Sequence, residues 1–206
     1  MKKLMKSLLV AVLFLVGSQA FAADSGKGYS VLDTVQPSSS KKIEVLEFFF
    51  YGCSHCFDLH AHLAPWAKSL PKDVELTYVP TVFRDSWEAS ARAYYALESM
   101  GKAEEMGDVL YRAWNVEKKN LYDESSTLAA LTPHGVDSAK FSAAYNAFSM
   151  QSKVARAKRM IRDYKVSGTP TLVVAGKYVI SGLHPKDTIR VLDEVIEMVR
   201  KERAKK

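Results

Sequence analysis

The stretch that most restricts the fold is IEVLEFFFYGCSHC, residues 43–56. Residues 43–50 are apolar and β-prone apart from Glu44 and Glu47, the pattern of a central strand buried within a sheet. After Tyr51 and Gly52 the pattern turns helical from Ser54 to Leu70, with a kink expected at Pro65. The chain therefore passes from a buried strand directly into a helix. Cys53 stands at the junction, and Cys56 lies one turn on along the same helix face.

These are the only two cysteines in 206 residues, so their compartment matters. The N-terminus begins MKKLMK, continues with the apolar run Leu8–Val16, and reaches the small-residue pattern Ala20-Phe21-Ala22. That is the layout of a secretory leader, cleaved after Ala22. The apolar run is too short to span a bilayer comfortably. A leader delivers the chain to an oxidising compartment, where two cysteines pair. A bridge over two intervening residues closes too small a loop to serve as a structural staple.

The remaining chain suits one compact domain, or a domain with a large insertion. A hydrophobic content of 48% argues for a packed core and against disorder. Half of the net charge of +6 comes from Lys2, Lys3 and Lys6 in the leader. No basic patch interleaves with aromatics in a nucleic-acid module, so nucleic acid is not an expected partner.

Beyond the first helix, residues 74–83 (VELTYVPTVF) read as a second strand. Residues 86–131 hold helical stretches, and 137–164 read as helical again. The runs Thr171–Val174 and Tyr178–Ile180 flank Ala175-Gly176-Lys177 as a β-hairpin. Residues 187–203 form a closing amphipathic helix, and a short edge strand is expected within 24–42.

A cysteine at a helix N-terminus meets free backbone N–H groups and the positive end of the helix dipole, which stabilise its thiolate. Cys53 is thus the candidate exposed nucleophile and Cys56 the more buried resolving thiol, close enough for a Cys53–Cys56 disulfide. His55, between them, is expected to donate a hydrogen bond or positive charge to the Cys53 thiolate. A stabilised thiolate makes the disulfide a strong oxidant. Zinc is the competing use of such a pair. Cys53, Cys56 and His60 share a helix face, but His62 lies on the far side, so the four cannot surround one ion. His60 is placed to border the site, and His62 to face away.

The segments VLEFFFYGCSHC and VSGTPTLVV together resemble the DsbA family of periplasmic thiol:disulfide oxidoreductases, across essentially the whole mature chain. The resemblance implies an α/β thioredoxin fold, a central mixed sheet flanked by helices, with an inserted all-helical domain. It divides the chain into a leader (1–22), a first thioredoxin-like part (23–84), a helical insertion (85–157) and a second thioredoxin-like part (158–206). It implies that Pro170 is a cis-proline facing the cysteines, exposing the backbone of Thr169 so that an extended substrate segment can pair with it. It also implies that Glu47 is buried beneath the disulfide, where a carboxyl of raised pKa could relay a proton to or from Cys56.

Two departures stand out. Ser54 follows the first cysteine where well-known members carry proline, and this dipeptide tunes redox potential. The lysine that some members place near the buried acid has no match in LTYVPTVF.

The implied activity is donation of the disulfide to folding exported polypeptides in the periplasm by a monomer that uses no metal or organic cofactor. Reoxidation would come from a quinone-linked inner-membrane partner of the DsbB type. The alternatives are a reductase or isomerase on the same fold, a non-catalytic chaperone, and a metal carrier. The dimeric isomerases add an N-terminal dimerisation domain, for which too few residues precede the first strong strand.

Overall fold

The computed structural model describes residues 28–38 and 40–205; the leader expected over 1–22 lies outside them. Five strands form one sheet: β1 (Ser30–Val31), β2 (Ile43–Phe49), β3 (Val74–Pro80), β4 (Thr171–Val174) and β5 (Tyr178–Ser181), in the order β1-β5-β4-β2-β3. β2 pairs parallel with β3 and antiparallel with β4. Having neighbours on both sides satisfies its backbone groups and lets nearly every side chain be buried. The short edge strand expected near the start is β1.

Helix α1 (Ser54–Lys68) follows β2, and α7 (Pro185–Arg203) closes the chain. Ile43 and Val45 of β2 pack with Leu59 and Leu63 of α1 and with Val191, Leu192 and Val195 of α7. The alternate residues Leu46 and Phe48 pack with Ala157 and Ile161 of α6 (Phe148–Asp163) on the other face. The sheet is thus covered on both sides, as its two-faced apolar pattern requires.

Between β3 and α6 lie α2 (Glu88–Ser99), α3 (Ala103–Asn115), α4 (Glu124–Leu131) and α5 (Ser138–Tyr145). They close around Leu97, Leu110, Leu131 and Phe141, and this second core continues into Phe49, Tyr51 and Cys56. The functional cysteine pair therefore sits where the sheet domain and the helical layer share a core.

Three local expectations shift. Helix α1 runs on through Pro65 to Lys68; Pro65 is exposed, so water can satisfy the carbonyl one turn back that loses its donor. β3 ends at Pro80, because Thr81 turns both its N–H (2.8 Å) and its hydroxyl (2.9 Å) to the carbonyl of Phe49. The helical reading of 137–164 becomes two helices, α5 and α6, separated at Asn146 and Ala147.

The β4–β5 hairpin turns at Ala175 (φ 51) and Gly176 (φ 65). A Cβ on Gly176 would fall 2.1 Å from the carbonyl oxygen of Gln36, whose N–H bonds back to the Gly176 carbonyl at 2.8 Å. Gly176→Ala should therefore destabilise the protein by about 2 kcal/mol or more, read from urea unfolding.

Candidate active site

The site is built at the β2–α1 junction. Cys53 occupies the N-cap position of α1 with extended backbone (φ −86, ψ 117), and its N–H bonds to Phe50 O at 3.0 Å. Gly52 has no alternative there: a Cβ would fall 2.5 Å from the Phe50 ring and 3.2 Å from Trp114. The Phe50 ring stacks on Trp87 with centroids 3.9 Å apart, and the amide of Asn115 donates to the carbonyl of Tyr51 at 2.8 Å. The turn that presents Cys53 is thus clamped by α3 and by the segment leading into α2. Sequence reading missed Gly52, Trp87, Trp114 and Asn115, because nothing in local pattern links residues 87–115 to residue 52.

Both cysteines are thiols here, Cys53 half-buried and Cys56 fully buried. The Cys53 thiol lies 3.3 Å from the carbonyl oxygen of Thr169, and the Thr169–Pro170 peptide bond is cis. That carbonyl can only accept, so it favours the protonated sulfur. The donors outweigh it. The Cys56 thiol, the Thr169 hydroxyl and the N–H groups of Cys56 and His55 hold the Cys53 pKa down to about 5 against the opposing effect of burial. The two amides are the N3 and N2 donors of α1; the Cys53 side chain makes no capping hydrogen bond to them in this structure, and they favour negative charge on the sulfur through the field of the helix start. Burial, followed by the neighbouring Cys53, pushes Cys56 well up. The pair is strongly asymmetric: an outer sulfur that ionises readily and an inner one that keeps its proton.

His55 meets this pair through its backbone, with its ring on the groove beside it. Its backbone N–H supports the thiolate, while its ring is exposed on the wall of a groove shared with Asp58, Thr169, Pro170 and His184. Ser54 is exposed at the first helical position. Leu59, Leu172 and Ile180 line the apolar part of the groove, whose volume is about 440 Å³. The His60 ring packs on Tyr111 of α3, with centroids 4.8 Å apart, and burial lowers its pKa. Among the described residues, no cluster of three or more His, Cys, Asp or Glu side chains could hold a metal ion.

Glu47 is 1% exposed, and its Oε1 is buried with no hydrogen-bond partner. Burial, with a smaller push from Cys53, raises its pKa to about 8. Its registered neighbours are Leu172 on β4 and Tyr78 on β3. Tyr78 takes the flank where a lysine could have stood, so the acid has a phenol beside it in place of a cation. Its charge in turn raises Cys56.

Two pH dependences follow. Alkylation of Cys53 by iodoacetamide should titrate with a midpoint near pH 5, and stay near that value in Glu47→Gln. For stability, Glu47 binds its proton more tightly folded (about 8) than unfolded (4.5). The penalty is therefore absent below pH 4.5 and grows as pH rises to 8. Glu47→Gln should stabilise the protein by about 1–3 kcal/mol at pH 7–8 and by almost nothing at pH 4, measured by urea unfolding.

Comparison with known proteins places this geometry. Residues 44–192 match the family model described as DSBA-like thioredoxin domain. The chain is 35% identical over 206 residues to the thiol:disulfide interchange protein DsbA of Pseudomonas aeruginosa, covering 97% of this chain and 98% of the relative. It is 33% identical over 208 residues to the protein of that name from Burkholderia cepacia, with 97% and 98% covered. The crystal structure of Pseudomonas aeruginosa DsbA superposes with a TM-score of 0.83 at 35% identity, covering 89% of this chain and 99% of that one. The oxidoreductase NmDsbA1 from N. meningitidis superposes at 0.79 and 27% identity, covering 87% and 95%. With the asymmetric cysteine pair at its helix N-terminus, the chain belongs to the DsbA family of thiol:disulfide oxidoreductases.

Proposed function

We propose that this protein is a periplasmic disulfide donor, exported by its leader, that passes the Cys53–Cys56 disulfide to newly exported polypeptides as they fold. The observation that carries the reading is the depressed pKa of Cys53 beside a strongly raised Cys56. A stable Cys53 thiolate favours the dithiol form, so the disulfide is readily given up. Kinship with thiol:disulfide interchange proteins supports the same direction.

A substrate thiolate attacks Sγ of Cys53, the bond to Cys56 breaks, and Cys56 departs with the electron pair. Glu47, protonated below pH 8, supplies the proton that makes Cys56 a thiol. The mixed disulfide lies along the groove, where the backbone at Thr169 and Pro170 can pair with an extended segment. A second substrate thiolate then attacks the substrate sulfur, and Cys53 leaves as its stabilised thiolate. The substrate has lost two electrons to the cysteine pair. A quinone-linked inner-membrane oxidase of the DsbB type would restore the disulfide. The protein works as a monomer, with no metal or organic cofactor. Ser54 and His55, which flank the thiolate, adjust its potential.

Cys56→Ser should trap the first intermediate with a substrate of one cysteine, which has no second thiol to resolve it, because Cys56 is no longer there to reverse the attack. Incubated with that reduced substrate and oxidised glutathione, it should accumulate a covalent complex that dithiothreitol releases, visible on non-reducing gels. Cys53→Ser should form none. Complexes through Cys56 in the Cys53→Ser variant would overturn the assignment of nucleophile. In a strain that depends on this protein, replacing both cysteines by serine should abolish disulfide formation in exported proteins. Survival of that activity would leave only a non-catalytic role.

A further inference from the structure

The groove beside Cys53 is unevenly charged. Leu59, Leu172 and Ile180 make its floor apolar, and Thr169, whose carbonyl lies 3.3 Å from the Cys53 thiol, forms part of its wall. Asp58 is the only acid among the lining residues, and no lysine or arginine stands with it. With histidines counted as neutral, the groove carries one formal charge, and it is negative.

The fold makes no use of that charge. Asp58 is exposed and has no hydrogen bond or ion pair among the described residues. The acids of α7 are engaged by comparison: Asp187 and Glu194 pair with Arg190, and Asp193 accepts from the Trp66 indole at 2.8 Å. Position 58 is the fifth of α1, past the first turn where a carboxylate would gain from the helix dipole. One turn away on either side stand Ser54, His55, Ala61 and His62, so α1 offers it no lysine or arginine.

Its distance from the nucleophile has a consequence. A helix rises about 1.5 Å per residue, which puts position 58 about 7 Å along α1 from Cys53. An extended segment covers about 3.3 Å per residue, so two residues of substrate span that distance. Side chains two apart also point to the same side of a strand. A segment joined to Cys53 and laid against Thr169 and Pro170 therefore brings the side chain two residues from its own cysteine within reach of Asp58.

We propose that Asp58 selects substrates, favouring polypeptides with a lysine or arginine two residues from the cysteine that attacks Cys53. The proposal rests on the reading of the protein as a disulfide donor whose substrate lies in this groove. The apolar floor accepts a segment without regard to charge, and Asp58 adds the charge preference. A basic neighbour also favours the thiolate of the substrate cysteine, the form that attacks, so selection falls on cysteines that are already reactive. An acid at the same position meets like charge and is disfavoured.

The test uses two reduced peptides that differ only in lysine or glutamate two residues to either side of one cysteine. A second cysteine on a flexible tail completes the transfer. The rate at which each peptide reduces the disulfide form of the protein is followed by stopped-flow. It is divided by the same peptide's rate with bis(2-hydroxyethyl) disulfide, an uncharged reagent, to remove intrinsic thiol reactivity. The lysine peptide should be about threefold faster or more, because an exposed attraction replaces a repulsion. The advantage should fade in about 0.5 M salt. Asp58→Asn should bring the ratio to one, Asp58→Glu should keep it, and Asp58→Lys should invert it. Any change at Cys53 itself cancels in a ratio taken within one variant. A ratio of one in the unaltered protein, or a ratio that survives Asp58→Asn, would overturn the selection and leave the donor reading intact. If neither peptide reduces the disulfide, the donor reading falls and the selection with it.

Discussion

The site depends on one electrostatic imbalance across the helix start. Above, the first-turn amides of α1, the Thr169 hydroxyl and the Cys56 thiol all stabilise negative charge on Cys53. Below, Cys56 and Glu47 lie in a sealed interior that penalises charge on either. Two sulfurs only a helical turn apart thus have opposite preferences. The reduced protein satisfies both at once, as an outer thiolate over an inner thiol. A disulfide satisfies neither, and that difference drives the bond toward a substrate.

Holding this imbalance requires a rigid turn, and the helical layer supplies it. The Phe50–Trp87 stack, the Trp114 edge and the Asn115 amide bear on a turn that could otherwise rearrange. Packing is shared as well: Phe49, Tyr51 and Cys56 belong to the same core as Leu97 and Leu110. The insertion is therefore part of the chemistry's scaffold, because displacing α3 would move the donors that set the Cys53 pKa. On the opposite side, the loop before β4 brings Thr169 against the sulfur.

Much of this was legible along the chain because it is written in short-range pattern. The IEVLEFFF run announced a strand with cover on both sides, the cysteine spacing announced the helix start, and Ala175-Gly176-Lys177 announced the hairpin. The apolar neighbours of Glu47 were enough to place it inside. What stayed hidden depends on distant pairing. Tyr78 becomes the neighbour of Glu47 only through the β2–β3 register, and His60 meets Tyr111 only because α3 packs there. The part played by the His55 amide depends on the helix start, where its N–H is one of the groups that lower the Cys53 pKa.

The most direct test of the imbalance is the redox equilibrium of the pair with glutathione, measured from pH 4 to pH 8. Reduction leaves Cys53 as a thiolate above its pKa and releases one proton. The equilibrium should therefore favour the dithiol about tenfold more per pH unit between about 5 and 8, and level off below 5. At pH 7 that amounts to a gain of about 100-fold over a pair with an unshifted nucleophile. A flat profile across pH 5–8, or a pair that glutathione leaves oxidised at neutral pH, would contradict the account.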